Sequence, residues 1–150
     1  MSKYNSQAPY IASYMIFTND KNEVAFLLRS NTSWMDGYYT LPSGKVEPDE
    51  FFIACAVREA KEEVGVDVLP EDAHMSLIMH RSEPDGFWVD AYITIHKWQG
   101  DLHNAEPHVH GNLAWFALDE LPKNIVPGVR VALEQIAKGK TYYEYTREDV

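Results

Sequence analysis

The residues best suited to chemistry form one acidic run, Arg58-Glu59-Ala60-Lys61-Glu62-Glu63. Residues three and four apart share a face of a helix, so Glu59, Glu62 and Glu63 are expected at neighbouring positions. Carboxylates this close repel one another, and helix stability gives no reason to group them. Hard divalent cations such as Mg²⁺ relieve the repulsion and prefer oxygen ligands. The run therefore indicates a Mg²⁺ site, or else a solvated acidic helix face, which is the common role of a charge run.

The sequence around this run predicts the helix that must position it. The segment Glu47-Pro48-Asp49-Glu50 is typical of an acidic helix start with proline near the first turn. An apolar stripe recurs at helical spacing over residues 53–64, and Gly65 is expected to cap the end of the helix. Within the helix, Arg58 lies four residues before Glu62 and is placed to orient its carboxylate.

The remaining elements predict a layered α/β fold. Strands are predicted over residues 10–17, 23–29, 38–41, 77–80, 87–98 and 113–118, and a second amphipathic helix over 126–138. In segment 87–98 apolar residues alternate with polar ones, which predicts a strand with one buried face. Strands that come before, between and after two helices favour a mixed sheet between helices.

The composition excludes several classes of protein. The chain has 150 residues, which suits a single domain over 1–150, and its 13 Lys and Arg against 23 Asp and Glu give a net charge of −10. So acidic a surface disfavours a nucleic acid polymer as partner, because its phosphates need basic residues. The single cysteine fits a reducing compartment. A polar N-terminus and the lack of a long apolar run predict a cytoplasmic protein without a membrane partner.

The acidic run is also part of a longer pattern that resembles the Nudix box. Its fixed positions are Gly44, Glu50 after five residues, Arg58-Glu59-Ala60 after seven more, Glu62-Glu63 and Gly65-Val66. The segments that resemble the MutT-type branch of the Nudix hydrolases are Trp98-Gln99-Gly100, residues 104–107, Trp115-Phe116 and residues 118–122. Over residues 10–137 this resemblance implies an α/β/α sandwich with a mixed central sheet. It also implies hydrolysis of nucleoside diphosphates linked to another group, nucleoside triphosphates included.

The resemblance assigns roles to individual acidic residues. It implies that Glu59, Glu62 and Glu63 bind Mg²⁺, for which Mn²⁺ can substitute, and that Arg58 supports catalysis beside them. Glu106, on a separate loop, is a further candidate ligand or general base, and an exposed loop acid is the alternative. The identity of the base stays open among Glu59, Glu62 and Glu106.

Three other box residues are expected to support the loop and the helix. Glu50 is expected to brace them, with direct metal contact as the less favoured alternative. Gly44 is expected to permit a backbone conformation that a Cβ would hinder. Gly65 is the C-cap. The order Pro42-Ser43-Gly44 departs from the two glycines that the family commonly has after this proline.

Four residues are candidates for substrate binding. Asn124 resembles the position of an asparagine that reads a purine edge in MutT-type enzymes, and a helix cap is the alternative. Trp34 and Phe116 are candidates for stacking on a base, although aromatic residues are more often part of a core. Arg29 is a candidate phosphate contact, with an ordinary surface arginine as the alternative.

The leading functional hypothesis is a Mg²⁺-dependent pyrophosphohydrolase that converts a nucleoside triphosphate to monophosphate and pyrophosphate. An oxidised purine such as 8-oxo-dGTP is one option for the substrate. The alternatives are a hydrolase of ADP-ribose or another nucleoside diphosphate derivative, and a non-catalytic nucleotide-sensing module. The intact Glu59, Glu62 and Glu63 count against the last. The expected partner is a small-molecule nucleotide, and the resemblance is compatible with a homodimer, for which the sequence identifies no interface.

Overall fold

The computed structural model describes residues 8–146, in which eight strands and two helices follow one another along the chain. The strands are β1 (Tyr10–Phe17), β2 (Glu23–Arg29), β3 (Tyr39–Thr40), β4 (Ser43–Lys45), β5 (Ala73–Glu83), β6 (Gly86–Ile95), β7 (His110–Ala117) and β8 (Tyr142–Tyr145). The helices are α1 (Phe52–Val64) and α2 (Pro127–Ala137), and a 3₁₀ turn covers Pro70–Asp72. No helix of this described part is long and apolar enough to cross a membrane.

The strands form two sheets. A five-stranded sheet has the order β4-β1-β6-β5-β8, in which β1 and β6 are parallel, β5 and β8 are parallel, and the remaining pairs are antiparallel. A three-stranded antiparallel sheet has the order β3-β2-β7. The predicted fold class, α/β with a mixed central sheet between helices, is confirmed.

The mixed sheet is buried on both of its faces. Along β1, Met15 packs in a cluster with α1, whereas Ile16 packs in a second cluster with α2. Along β6, Ile93 belongs to the first cluster and Tyr92, which is 1% exposed, to the second. The prediction of one buried face for segment 87–98 is therefore wrong. The face that the sequence pattern left to solvent is covered by α2 and by the second sheet.

Helix α1 begins later than the sequence pattern predicts. Its N-cap is Phe51, and no acidic residue lies in its first turn. The segment 47–50 instead forms a turn in which the Glu50 N–H donates to the Glu47 carbonyl at 3.1 Å. Asp49 has a φ of +64°, a left-handed conformation that a right-handed helix cannot contain. The predicted C-cap is confirmed, since Gly65 has a φ of +72° and its N–H donates to Lys61.

The strand boundaries differ most where polar residues interrupt the apolar pattern. Strand β5 runs from Ala73 to Glu83 rather than over 77–80, because pairing with β6 extends through polar residues at both ends. Strand β4 was not predicted, since Ser43–Lys45 has no apolar alternation and is held by pairing with β1. Strand β8, at Tyr142–Tyr145, was also missed. The predicted strand 38–41 is reduced to Tyr39–Thr40.

Candidate active site

The carboxylates of α1 face the short strand β4. The backbone N–H of Ser43 donates to Glu63 Oε2 at 2.8 Å, which ties the start of β4 to the last turn of the helix. Cys55, one turn before Glu59, is fully buried, and burial raises the pKa of its thiol to about 11. The thiol therefore stays protonated near neutral pH, and the side chains available to a cation here are oxygen donors.

Gly44 lies directly against the Glu59 carboxyl group. A Cβ added at this glycine would overlap the Glu59 side chain. Gly44 does not adopt a positive φ, so the predicted hindrance to a Cβ here comes from a neighbouring side chain and not from a left-handed backbone. The glycine is required because the carboxyl group of Glu59 approaches the β4 backbone where any side chain would stand.

Arg58 is the centre of an ion-pair network. Its guanidinium donates to Glu50 at 2.8 and 2.9 Å, to Glu59 at 2.7 Å and to Glu62 at 3.1 Å. It also reaches the Lys45 carbonyl at 3.1 Å, which joins β4, the following turn and α1. The hydrogen bonds from Arg58 lower the pKa of Glu50 to about 2. Glu50 precedes the helix and contacts Arg58, an arrangement that supports the bracing role proposed for it.

The carboxylates outnumber the cation that holds them. Burial raises the pKa of Glu59 in spite of the Arg58 hydrogen bond, and the charges of Glu62 and Glu106 raise it further. Burial raises the pKa of Glu63 well above its usual value, against the N–H of Ser43, and Glu59 and Glu106 add to the rise. The cluster of glutamates therefore carries more negative charge than Arg58 can balance.

Glu106 reaches the cluster from the loop between β6 and β7. The loop is fastened to the C-terminal end of α1, because the Ala105 N–H donates to the Glu63 carbonyl at 2.9 Å and the His103 N–H to the Val64 carbonyl at 3.1 Å. The side chain of Asn104 accepts a bond from the Glu106 N–H at 3.1 Å. The structure thus brings Glu106 into the electrostatic neighbourhood of Glu59 and Glu63, which sequence spacing alone could not establish.

The donor set fits a hard divalent cation. Its side chains are carboxylates, which are the ligands that Mg²⁺ and Mn²⁺ prefer, and the absent Cβ of Gly44 lets the Glu59 carboxyl group approach the β4 backbone. Within residues 8–146 no three His, Cys, Asp or Glu side chains are grouped as a finished metal site. Glu59 and Glu62 are instead turned toward Arg58. Binding of a cation therefore requires these two side chains to exchange their contact with Arg58 for the ion.

Two adjoining cavities lie on the opposite face of β1 from α1. The first, about 530 Å³, is bordered by Ser43, Gly44 and Lys45 of β4. The second, about 360 Å³, is bordered by the N-terminal end of α2. The residues that line both cavities are Tyr14, Trp34, Arg81 and Glu83. The two cavities therefore meet at these side chains and form one groove with two chambers.

Two of the four predicted substrate-binding residues lie in this groove. The Arg29 guanidinium lies 4.7 Å from the ring of Trp34 and donates to the Trp34 carbonyl at 2.8 Å. Both line the first cavity. The charge of Arg29 also acts to lower the pKa of Glu63, so Arg29 lies within electrostatic range of the carboxylates as well as in the groove.

The other two predicted residues, Phe116 and Asn124, line neither cavity. Phe116 packs against Phe26 and Tyr39, with ring centroids 5.7 and 5.0 Å apart, so it is part of the core. The Asn124 amide donates to the Gly37 carbonyl at 2.8 Å and braces a loop. It does not cap α2, whose N-cap is Val126.

An ion pair under the groove was missed by the sequence reasoning. Arg81 Nε donates to Asp90 Oδ2 at 2.8 Å, between β5 and β6. The Asp90 side chain is 1% exposed. A signal was present, because an aspartate stands in the middle of an otherwise apolar and aromatic strand, where a charge needs a partner. The partner could not be identified, since it depends on the register of another strand.

Comparison with known proteins gives a consistent result. The family described as NUDIX domain matches residues 9–136. The chain is 29% identical to the NAD-capped RNA hydrolase NudC of Pseudomonas aeruginosa (strain LESB58) over 116 residues, which are 77% of this chain and 40% of that protein. The chain thus spans less than half the length of this curated relative.

Solved structures with the same fold include two MutT proteins. The MutT NUDIX hydrolase from Burkholderia pseudomallei is 27% identical with a TM-score of 0.77, covering 86% of this chain and 98% of that one. The MutT protein from Methanosarcina mazei Go1 is 22% identical with a TM-score of 0.76, covering 89% of this chain and 97% of that one. The second likeness concerns the fold alone.

Proposed function

The chain belongs to the Nudix family of hydrolases, and from that premise we propose that it is a Mg²⁺-dependent enzyme that hydrolyses a nucleoside triphosphate. Water adds across one phosphoric anhydride bond, and the products are a nucleoside monophosphate and pyrophosphate. One observation carries this proposal: the carboxylates of Glu59 and Glu63 approach β4, and the groove is lined by Ser43, Gly44 and Lys45 of the same strand.

The metal-binding residues in this proposal are Glu59, Glu62 and Glu63, with Glu106 contributing from its loop. Bound Mg²⁺ would supply neutralisation of the phosphate oxygens and a lowered pKa for a coordinated water. A carboxylate of the cluster that is free of the cation then takes the proton of the attacking water. Glu59, Glu62 and Glu106 remain the candidates for this base.

The groove supports one orientation of the substrate. Arg29 and Lys45 line the first cavity beside Gly44, and they provide the positive charge that phosphates need. The second cavity is lined mainly by aromatic and aliphatic side chains, among them Met35, Tyr92 and Val129. Such a surface suits a planar base. The phosphates would therefore lie toward β4 and the base toward α2.

A second candidate function is hydrolysis of a dinucleotide or another nucleoside diphosphate derivative such as ADP-ribose. The two chambers of the groove favour it, because each could take one half of such a ligand. The named relative, an NAD-capped RNA hydrolase, has a substrate of this general kind. The triphosphate remains the first choice, because two cations of the first cavity lie near the carboxylates: Lys45 follows Gly44 on β4, and Arg29 acts electrostatically on Glu63.

Product analysis with Mg²⁺ tests the two candidates directly. The panel contains the common nucleoside triphosphates, 8-oxo-dGTP, ADP-ribose, NAD and a dinucleoside polyphosphate. We expect monophosphate and pyrophosphate from a triphosphate, with activity abolished by EDTA and lowered about a hundredfold or more in an E63Q preparation made in parallel. Two monophosphates from NAD or ADP-ribose, without triphosphate cleavage, would establish the second candidate. Nucleotide binding without any turnover would show a sensing module instead.

A further inference from the structure

A buried ion pair lies under the junction of the two cavities. Arg81 of β5 and Asp90 of β6 occupy diagonal positions on the groove face of the mixed sheet, because Arg81 pairs with Trp88 and Asp90 with Met79. Their side chains are 12% and 1% exposed, and Nε of Arg81 lies 2.8 Å from Oδ2 of Asp90. Charged groups are thus enclosed beside apolar and aromatic residues of the same face, among them Met79 and Tyr92.

The ion pair between Arg81 and Asp90 is not explained by a gain in the stability of the fold. A buried ion pair loses the hydration of both charges, and apolar residues of similar volume are often as stabilising. The pair is also incompletely bonded, since Asp90 Oδ1 has no hydrogen-bond partner within the described residues. What the arrangement does achieve is to fix the position of one guanidinium group.

Arg81 is held from three directions. Asp90 accepts a hydrogen bond from Nε, Glu83 accepts one from Nη1 at 3.0 Å, and the ring of Trp88 lies 4.8 Å from the guanidinium carbon. Nη2 makes no hydrogen bond to any residue of 8–146 that the structure records. Arg81 lines both cavities, so these remaining N–H groups are available to a molecule in the groove.

The position of Arg81 along the groove indicates which part of the substrate it meets. The first cavity includes Gly44, whereas no residue of the box, 44–66, borders the second. A substrate with its phosphates beside Gly44 must pass Arg81 before its far end enters the second cavity. The far end of a nucleotide is its base, which offers ring nitrogens and carbonyl oxygens as hydrogen-bond acceptors.

We propose that Arg81 binds the acceptor edge of the substrate base and determines base specificity, and that Asp90 is a positioning residue that acts through Arg81. The planar guanidinium can donate two parallel hydrogen bonds to such an edge, which a lysine ammonium cannot reproduce. The inference rests on the proposed function, since it concerns the selection of a nucleotide at the same site.

The test is base discrimination, measured as kcat/KM for ATP, GTP, CTP and UTP. In the wild type we expect the best and the worst nucleotide to differ by about tenfold or more. R81K should bring this ratio toward one, mainly by raising KM for the best nucleotide while kcat changes little. D90N should change the ratio in the same direction by a smaller factor. R130K is the matched control, because Arg130 donates to Pro122 outside both cavities, and it should leave the ratio unchanged.

Several outcomes would overturn the inference while leaving the proposed function intact. If the wild-type enzyme has the same kcat/KM for all four nucleotides, it has no base specificity that Arg81 could determine. An equal loss for every nucleotide in R81K would place Arg81 on the phosphates or on the fold. If D90N fails to fold in a thermal melt, the R81K series alone decides, since lysine keeps the charge beside Asp90. If the wild type cleaves no triphosphate, the proposed function itself fails and the inference falls with it.

Discussion

Two arginines organise this molecule, and they do so in opposite ways. Arg58 contacts Glu50, Glu59 and Glu62, so one cation serves more carboxylates than it can neutralise. Arg81 is enclosed, and although it contacts both Asp90 and Glu83, its Nη2 makes no hydrogen bond to the described residues. From this difference we infer two tasks: an excess of negative charge that suits a metal ion beside Arg58, and a fixed guanidinium at Arg81 that can donate to a ligand.

The largest effect on activity is expected from removing a negative charge from the glutamate cluster around Arg58. E62Q and E63Q should each lower kcat by about a hundredfold or more, because each removes the charge of a proposed metal ligand while keeping its shape. Steady-state turnover with Mg²⁺ measures the loss. The discrimination between bases, taken from residual activity, should stay at its wild-type value because Arg81 is untouched.

The control for these variants is E120Q, which changes an exposed acid outside the box. It should behave as the wild type. Thermal melts should show that both site variants are folded, since the glutamine oxygen at position 63 can still accept the Ser43 N–H. Near wild-type turnover in both E62Q and E63Q would contradict the assignment of the metal site.

An intermediate effect is expected from Gly44→Ala. The new methyl group would occupy the place of the Glu59 carboxyl, which must then move. We expect kcat/KM to fall by about tenfold to a hundredfold, because misplacement of a catalytic group by an ångström has costs of that order. Gly111→Ala is the control, since its methyl would meet only the movable end of Leu28 at 3.1 Å. Equal activity of the two variants would show that the close approach to Glu59 is dispensable.

The smallest effect is expected on the thermal midpoint of unfolding, which substitutions of Glu50 and Glu63 should shift in opposite directions. Arg58 lowers the pKa of Glu50 to about 2, whereas burial raises the pKa of Glu63. Ionised Glu50 therefore favours the folded state at pH 7, and ionised Glu63 disfavours it. In EDTA at pH 7, E50Q should lower the thermal midpoint by a few degrees and E63Q should raise it by a similar amount.

The pH dependence of these two midpoints provides the check. The contribution of Glu50 is complete above the ordinary pKa near 4.5 and disappears as the pH falls to about 2. The penalty from Glu63 grows as the pH rises above the same ordinary value, so the advantage of E63Q should vanish in acid. Midpoints that shift in the same direction for both variants at pH 7 would refute the contrast in their surroundings.

The acidic helix could be predicted from sequence because its interactions are local. Glu59, Glu62 and Glu63 share a face by helical periodicity alone, and Gly65 ends the helix by its left-handed conformation. The start of α1 was placed wrongly because proline and acidic residues suit a turn as well as a first helical turn. Periodicity says which side chains lie together on an element, and much less about where that element begins.

The Arg81–Asp90 pair was beyond sequence reasoning for a physical reason. The register of β5 against β6 shifts between Met75 and Leu77. Before the shift Met75 lies opposite Ile93, and after it Leu77 lies opposite Tyr92. A slip of one residue moves every later side chain to the other face of a sheet. Without this irregularity, Arg81 would point toward α1. No pattern of residue types predicts the register shift.

The alternation of residues along β1 and β6 has a consequence for how this protein can diversify. Even-numbered positions such as Tyr14 and Tyr92 face the groove, whereas odd-numbered positions such as Met15 and Ile93 support α1. A substitution at an even position therefore changes the lining of the groove without replacing a side chain that packs against α1. After gene duplication, selection on the groove and selection on the packing behind α1 can therefore act on separate sets of residues.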